Sequence, residues 1–403
     1  MHPAFRTAFN AAYSDDLYRR YLADLEQRAG ASAAFRLAET PVFLPEDLEK
    51  ELVAAATGII QELRRPELLT RLKGVIPPEW NAPGMDAFPA LTQVDLAVVR
   101  GPDGRLSPRL IELQGFPSLS AFEILQADAW SGALLGIPGL PGGTWSPFFS
   151  GLNRGSFLEL LRRTVVGHCD PEDVVLLDLK PSAQKTWVDF AATKKLLGVD
   201  PVDPSELLKE GRRLVRMKGG RRIPVQRIYN RIVFDELILS GVSLPFDFRD
   251  DLDVTWVPHP NWYWAISKAA LPHLLHPAVP RTFGLGELAE MPADLSGWVL
   301  KPLFSFAGGG VRLGPVRADL ERIPAPERSA WCLQERIDYE PALMAKDGGG
   351  VKVEVRMMFY RPDGEEKPVL GLNLCRLSRG TMLGVDFNRD FTWVGSSVAI
   401  RPA

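Results

Sequence analysis

Lys301 closes an apolar run, Trp298-Val299-Leu300, and leads through Pro302 and Phe304 into Gly308-Gly309-Gly310, after which Val311-Arg312-Leu313 resumes a strand-like pattern. The stretch reads as a strand, a glycine-rich turn and a return strand. Three adjacent glycines lack Cβ atoms, so their backbone N–H groups can close on a phosphate chain while an ammonium such as that of Lys301 neutralises it. A hairpin with an open tip and a surface lysine has the same local sequence, and an isolated glycine loop does not separate the two.

A second group of residues offers the complementary chemistry. Thr92 to Val99 and Arg109 to Gln114 read as strands joined through Gly101-Pro102-Asp103-Gly104. Alternation sets Glu112 and Gln114 on one face and Ile111 and Leu113 on the other, and in one pairing register Asp95 lies opposite the polar pair. Two carboxylates and an amide oxygen are hard donors, suited to a Mg²⁺ ion that also holds phosphate oxygens. A solvent-facing acidic hairpin is the alternative, but Gly115 to Ser120 turns sharply into an apolar helix, Phe122 to Leu135, which marks this strand end as interior.

Further cations are spaced along the second half. Lys268 lies one turn into a helix that follows the tryptophan-rich loop from Thr255, where it is either an exposed helix residue or a second phosphate-side cation. Val351 to Tyr360 and Pro368 to Ser378 form a long hairpin through Arg361-Pro362-Asp363-Gly364. Lys352, Glu354 and Arg356 share a face of its first strand, and Arg376 and Arg379 end the second. A solvated charged face is one reading; a contact from Arg356 or Arg376 to phosphate or acyl phosphate is the other.

These residues need a scaffold. Ser14 and Asp15 suit the cap of a helix ending at Gly30, and a second helix starts at Pro45-Glu46-Asp47, so helices occupy roughly the first 75 positions. From Asp173 strands and helices alternate: Asp173 to Leu179, a helix from Lys185 to Leu197 closed by Gly198, the hairpin of Arg212 to Met217 with Arg221 to Val225, and a strand to Ile232. Such a pattern predicts an open α/β unit with its ligand crevice at the carboxyl ends of the strands, where Tyr229-Asn230-Arg231 falls. Three segments follow: residues 1–165, with helices and the acidic hairpin; 166–255, the open α/β unit; and 256–403, with the lysines and the glycine loop.

The composition excludes several classes. With 403 residues, 46% apolar and 24% charged, the chain buries a sizeable core, and a formal charge of -3 offers no general attraction to nucleic acid or anionic membrane. Cys169, Cys332 and Cys375 are too scattered for a disulfide framework, and the five histidines have no paired ligand spacing of the zinc-enzyme kind. Neither an export signal nor an apolar run of about 18 residues is present, so a cytoplasmic location is expected.

Taken together, the pieces resemble the ATP-grasp superfamily, and more narrowly the circularly permuted type represented by the synthetase domain of glutathionylspermidine synthetases. Ile111-Glu112-Leu113-Gln114, then Phe116-Pro117-Ser118-Leu119 and a helix ending at Trp130, is similar to that family's metal-ligand segment. Trp264 followed by Ser267-Lys268-Ala269 to Leu275 is similar to its lysine helix, Lys301-Pro302-Leu303 to Val311 to its lysine strand and loop, and Leu333-Gln334-Glu335 to its adenine-side strand. The resemblance implies an ATP-grasp fold with an open α/β pre-ATP-grasp domain and an N-terminal helical segment. It further implies that Lys268, Lys301, Gly308, Gly309, Gly310, Gln334 and Glu335 serve ATP, and that Asp95, Glu112 and Gln114 hold Mg²⁺. Gln114 stands where the family uses Asn, and Phe304 to Gly308 replaces an Arg-Glu-Gly loop.

The activity implied is joining a carboxylate to an amine at the expense of ATP, through an acyl phosphate, with Arg356 or Arg376 stabilising the tetrahedral oxyanion. No amidase precedes the synthetase-like part, so the glutathionylspermidine substrate itself is not implied. A small-molecule kinase with Glu354 or Asp386 as base, and a catalytically silent nucleotide-binding protein, are the competing readings.

Overall fold

Asp95 and Glu112 meet because two strands of unequal local length are paired. In the computed structural model, which describes residues 1–101, 103–288, 290–304, 309–380 and 388–403, Leu91–Arg100 runs antiparallel to Leu106–Gln114. Asp95 opposes Glu112 and Leu96 opposes Leu110, so Ile111 is an extra residue, a β-bulge. On its other side Leu91–Arg100 pairs with Gly350–Tyr360, which pairs with Val369–Ser378 and then Gly395–Ser397. Leu343–Met344 joins Gly350–Tyr360 to complete six strands.

Alternation gives this sheet one polar stripe. Gln93, Asp95, Glu112, Gln114, Glu354, Arg356 and Arg376 line up across four strands, with Gln93 opposite Gln114, Arg356 opposite Asp95, and Glu354 opposite Arg376. The intervening Val94, Leu96, Val353, Val355 and Met357 are buried in the main apolar core. That core continues through Glu46–Leu63, whose buried positions Leu48, Leu52, Ala55, Ala56, Ile59, Ile60 and Leu63 recur at helical spacing.

The N-terminal helix pattern holds in detail. Asp15–Ala29 starts at Ser14, whose hydroxyl accepts from the Leu17 N–H at 3.1 Å, and stops at Gly30 with φ +75°. Pro3–Ala12 and Pro66–Lys73 are further helices.

Four parallel strands form a second sheet in the order Thr255–Val257, Arg227–Asn230, Val174–Leu177, Asp200–Val202. Trp187–Leu197, ended by Gly198 at φ +76°, is the crossover helix between the first two of these strands in sequence. This matches the open α/β unit predicted from the alternating pattern. The hairpin that starts near Arg212 is an exposed rim, where Arg212 reaches Asp251 and Asp253, with buried Arg216 beneath it holding Asp200 at 3.1 Å.

A third, antiparallel sheet runs Thr282–Gly284, Trp331–Glu335, Trp298–Pro302, Arg312–Leu313. It carries a small core of its own, with Leu285, Leu295, Trp298, Leu300, Leu320, Ile323 and Leu333 on one face. The segment between this sheet and the six-stranded one covers the latter's edge. The Leu110 N–H donates to the Ala278 carbonyl at 2.8 Å and the Gly115 N–H to that of Ile266 at 2.9 Å. Among the described residues no helix is long and apolar enough to cross a membrane.

Candidate functional site

On the strand Trp298–Pro302, Val299 and Lys301 point away from the small core, as do Cys332 and Gln334 on the paired strand. That face looks toward the polar stripe of the six-stranded sheet. Lys301 is buried, at 9% exposure, and its ammonium donates to the Gln334 amide oxygen and, at 3.4 Å, to the carbonyl of Ile111. The bulge explains the second contact, because it takes Ile111 out of the ladder.

Among the described residues no carboxylate lies within 4 Å of the Lys301 ammonium. Burial lowers its pKa, and nearby Lys268 pushes in the same direction, while Cys332, Glu112 and Glu354 oppose the shift. A buried cation with neutral partners is costly, which makes this an anion site in need of an anion. Beside it the Gln334 side-chain nitrogen is buried without an acceptor, a second unmet demand for one. Cys332, opposite Lys301, is a buried thiol raised to about 11 by desolvation, so it takes no part as a thiolate.

Lys268 differs from its expected setting. It begins the short 3₁₀ turn Lys268–His273, with Pro272 removing the N–H that a longer α-helix needs, and it is buried at 8% exposure. Its charge acts on both Lys301 and Glu112. The exposed-helix alternative is therefore replaced by a second cation at the same place.

Asp95, expected beside Glu112 as an oxygen ligand, is fully buried and faces guanidinium groups instead. Arg356 Nε donates to its Oδ1 at 2.8 Å and Nη2 to Oδ2 at 2.7 Å, while Arg376 Nη2 donates to Oδ2 at 3.0 Å. Arg376 Nε also donates to Glu354 Oε1 at 2.7 Å and its Nη2 lies 3.8 Å from Glu112 Oε1. Tyr339 donates its hydroxyl to the other oxygen of Glu354 at 3.1 Å. Burial raises the Glu354 carboxyl, and Asp95 and Glu112 add to the rise against Arg376 and Arg356. Arg376 is desolvated too, yet Glu354, Asp95 and Glu112 hold its proton even more firmly than usual.

Glu112 and Gln114 are half-buried and keep the remaining oxygens. The amides of Gln93 and Gln114 meet at 2.5 Å, and Gln114 meets Glu112 Oε1 at 2.8 Å. Amide oxygen and nitrogen have nearly the same shape, so the network decides which is which. Gln93 satisfies its neighbours with its oxygen toward Arg356, accepting from Nε and Nη1 at 3.2 Å, and that atom is the one against Gln114. Gln114 itself donates its side-chain NH₂ to Glu112 Oε1 at 2.8 Å. Desolvation raises the Glu112 carboxyl, but Arg376, Lys268, Arg356 and Lys301 together bring it below the usual range. Among the described residues no three His, Cys, Asp or Glu side chains form a metal cluster.

The remaining expected residues divide. Glu335 lies on the opposite face of its strand from Gln334, and Arg281 donates to it at 3.3 Å. Gly309 and Gly310 occupy the exposed turn, Gly310 with φ +73°, and Gly308 and Asp386 lie outside the described residues. Sequence reasoning passed over Gln93 and Tyr339. Alternation from Asp95 would have found the first; nothing in the sequence marks the second.

No family model matches this sequence, and no curated protein matches it. One solved structure similar to it is a glutathione synthetase-like effector from Globodera pallida in its apo form, over 96% of this chain and 96% of that one, with a TM-score of 0.56 and 12% sequence identity. At that identity the likeness is one of fold, an α/β architecture shared along nearly the whole chain.

Proposed function

We propose that this protein is an ATP-grasp ligase that joins a carboxylate to an amine, using ATP and Mg²⁺ and releasing ADP and phosphate. The observation that carries the reading is Lys301, a buried ammonium whose partners among the described residues are neutral, set beside an unsatisfied Gln334 amide nitrogen and against the Ile111 carbonyl next to Glu112. A polyphosphate supplies the anion that Lys301 and the Gln334 nitrogen lack. The fold shared with a glutathione synthetase-like chain supports the same class.

In this reading Lys301 and Lys268 neutralise the phosphates, Gln334 donates to the nucleotide, and Gly309 and Gly310 bring backbone N–H groups over the phosphate chain. Glu112 and Gln114 hold Mg²⁺, which when bound draws charge from the transferring phosphoryl group. The substrate carboxylate attacks the terminal phosphorus, ADP leaves, and the amine displaces phosphate from the resulting acyl phosphate. Of the two arginines, Arg356 is committed to Asp95 with a side chain 9% exposed, whereas Arg376, at 36%, is the more open and the better placed to meet the developing oxyanion.

The kinase alternative needs a free carboxylate base, and Glu354 has one oxygen on Arg376 and the other on Tyr339. Incubation with ATP, Mg²⁺, a panel of carboxylic acids and hydroxylamine tests the reading. A hydroxamate formed with one acid supports the ligase, and ADP formed with an alcohol but no hydroxamate supports the kinase.

A further inference from the structure

The end of the helix Pro66–Lys73 and the loop behind it meet Arg249 and Asn261 around a cavity of about 450 Å³, none of whose lining residues belongs to the cleft around Lys301. Asn261, 1% exposed, fixes the loop. Its amide oxygen accepts from the Ala82 N–H at 2.9 Å, and its nitrogen donates to Asn81 Oδ1 at 2.9 Å and to the Ala82 carbonyl at 3.0 Å. His259 accepts the Asn261 N–H on Nδ1 and so carries its proton on Nε2, which donates to the Pro83 carbonyl at 2.9 Å. These bonds close without a ligand, so this wall of the cavity is preformed.

The lining is cationic. Lys73 and Arg249 are its charged residues, and no Asp or Glu belongs to it. Arg249 is paired with Asp247 in its own turn, at 2.6 Å. Lys73 has no carboxylate within 4 Å among the described residues, and its ammonium lies 5.6 Å from the centre of the Trp262 ring. The carboxyl end of its own helix offsets that charge only in part. Asp86, which accepts from the Trp262 indole N–H at 2.6 Å, is engaged by Arg361 instead.

Neutral donors complete the lining. Asn81 spends its oxygen on Asn261 and keeps its NH₂ group, and the N–H groups of Gly84 and Met85 have no acceptor among the described residues. Two cations and several donors, with no acid between them, complement a compact oxyanion carrying two charges. We infer that this cavity binds a small dianion, a dicarboxylate or a phosphate ester, at a place separate from the nucleotide cleft. Its volume is that of a small-ligand site, and it lies where separate stretches of the chain meet, as such sites do. The inference stands without the nucleotide reading.

Thermal unfolding of the full chain at constant ionic strength tests it, with succinate, inorganic phosphate or neutral succinamide added to wild type, Lys73→Met and Lys301→Met. A ligand held only by the folded form should raise the melting temperature by roughly 2 °C or more near saturation. The expected rise is seen in wild type and Lys301→Met, is lost in Lys73→Met, and is absent with succinamide. A rise with succinate alone identifies a dicarboxylate site, and one with phosphate alone a phosphate ester site.

No rise with either anion beyond a sodium chloride control overturns the site, as does an equal rise with succinamide or an unchanged rise in Lys73→Met. A rise kept in Lys73→Met but lost in Lys301→Met assigns the anions to the nucleotide cleft, which overturns the cavity and leaves the nucleotide reading standing. Should Lys73→Met fail to fold, Arg249→Gln, at an exposed position, decides: a smaller rise upholds the site and an unchanged one overturns it.

Discussion

Asp95 and Arg356, 261 residues apart in the chain, form a buried two-pronged ion pair across neighbouring strands, with N–O distances of 2.8 and 2.7 Å. Neither residue faces bulk solvent, so each is the other's main compensation for the loss of water. Removing one partner leaves a buried charge. Asp95→Asn is therefore expected to cost about 3–5 kcal/mol of stability, read from urea unfolding. A loss below about 0.5 kcal/mol, typical of an exposed site, would show that Asp95 is not this anchor.

Lys301 is in the reverse position, a buried cation paired among the described residues with neutral groups. Lys301→Met should weaken ATP binding by roughly tenfold or more, as expected for losing a charge-assisted hydrogen bond worth about 1.5–3 kcal/mol. The same substitution should raise the melting temperature of the unliganded protein, because it removes an uncompensated charge. Calorimetric titration and a thermal scan of one preparation read both, and unchanged nucleotide affinity would take Lys301 out of the site.

Glu112→Gln should abolish Mg²⁺-dependent ATP turnover while leaving the fold intact. Its carboxylate is half-buried, lies 3.8 Å from Arg376 and accepts from Gln114 at 2.8 Å, a bond that a glutamine oxygen in its place can still accept. Turnover that survives in Mg²⁺ would place the metal elsewhere.

Asp178, at the carboxyl end of the strand Val174–Leu177, predicts a pH effect. Burial raises its carboxyl to about 7, against the opposing pull of Arg231 and the Leu179 N–H. A raised folded-state pKa means that the folded form keeps a proton the unfolded chain releases near 3.9, so this group costs stability increasingly from about pH 4 to about pH 7. Asp178→Asn should stabilise the protein at pH 8 and leave it nearly unchanged at pH 4, measured by denaturant titration at both values. No difference between the two would mean that the carboxylate is solvated.

Asp200 carries the opposite sign. Although burial raises it, Lys218, Lys194 and Arg216 bring its carboxyl down to about 2. Its contribution is present above about pH 4 and lost as the pH falls through about 2. Asp200→Asn should lower stability at pH 7 and flatten the acid limb of the stability curve over that window.

What the chain determined by itself is its local pattern. Ser14 and Gly30 bound a helix, Gly198 ends another, alternation puts Glu112 with Gln114, and Lys301 follows an apolar strand before three glycines. Each of these rests on dihedral preference or period, which neighbours along the chain decide. The α/β class and the motifs resembling ATP-grasp proteins follow from them.

Tertiary structure decided who pairs with whom. Period alone set Asp95 near Glu112 but not that Arg356 and Arg376 would claim its oxygens, because those partners come from strands hundreds of residues later. The bulge at Ile111, the burial of Lys268 and the orientation of the Gln93 amide toward Arg356 arose the same way, from register and from a hydrogen-bond network that closes only when the sheets are assembled. Charge compensation in a site without water is a property of three-dimensional neighbours, and no spacing in the sequence encodes it.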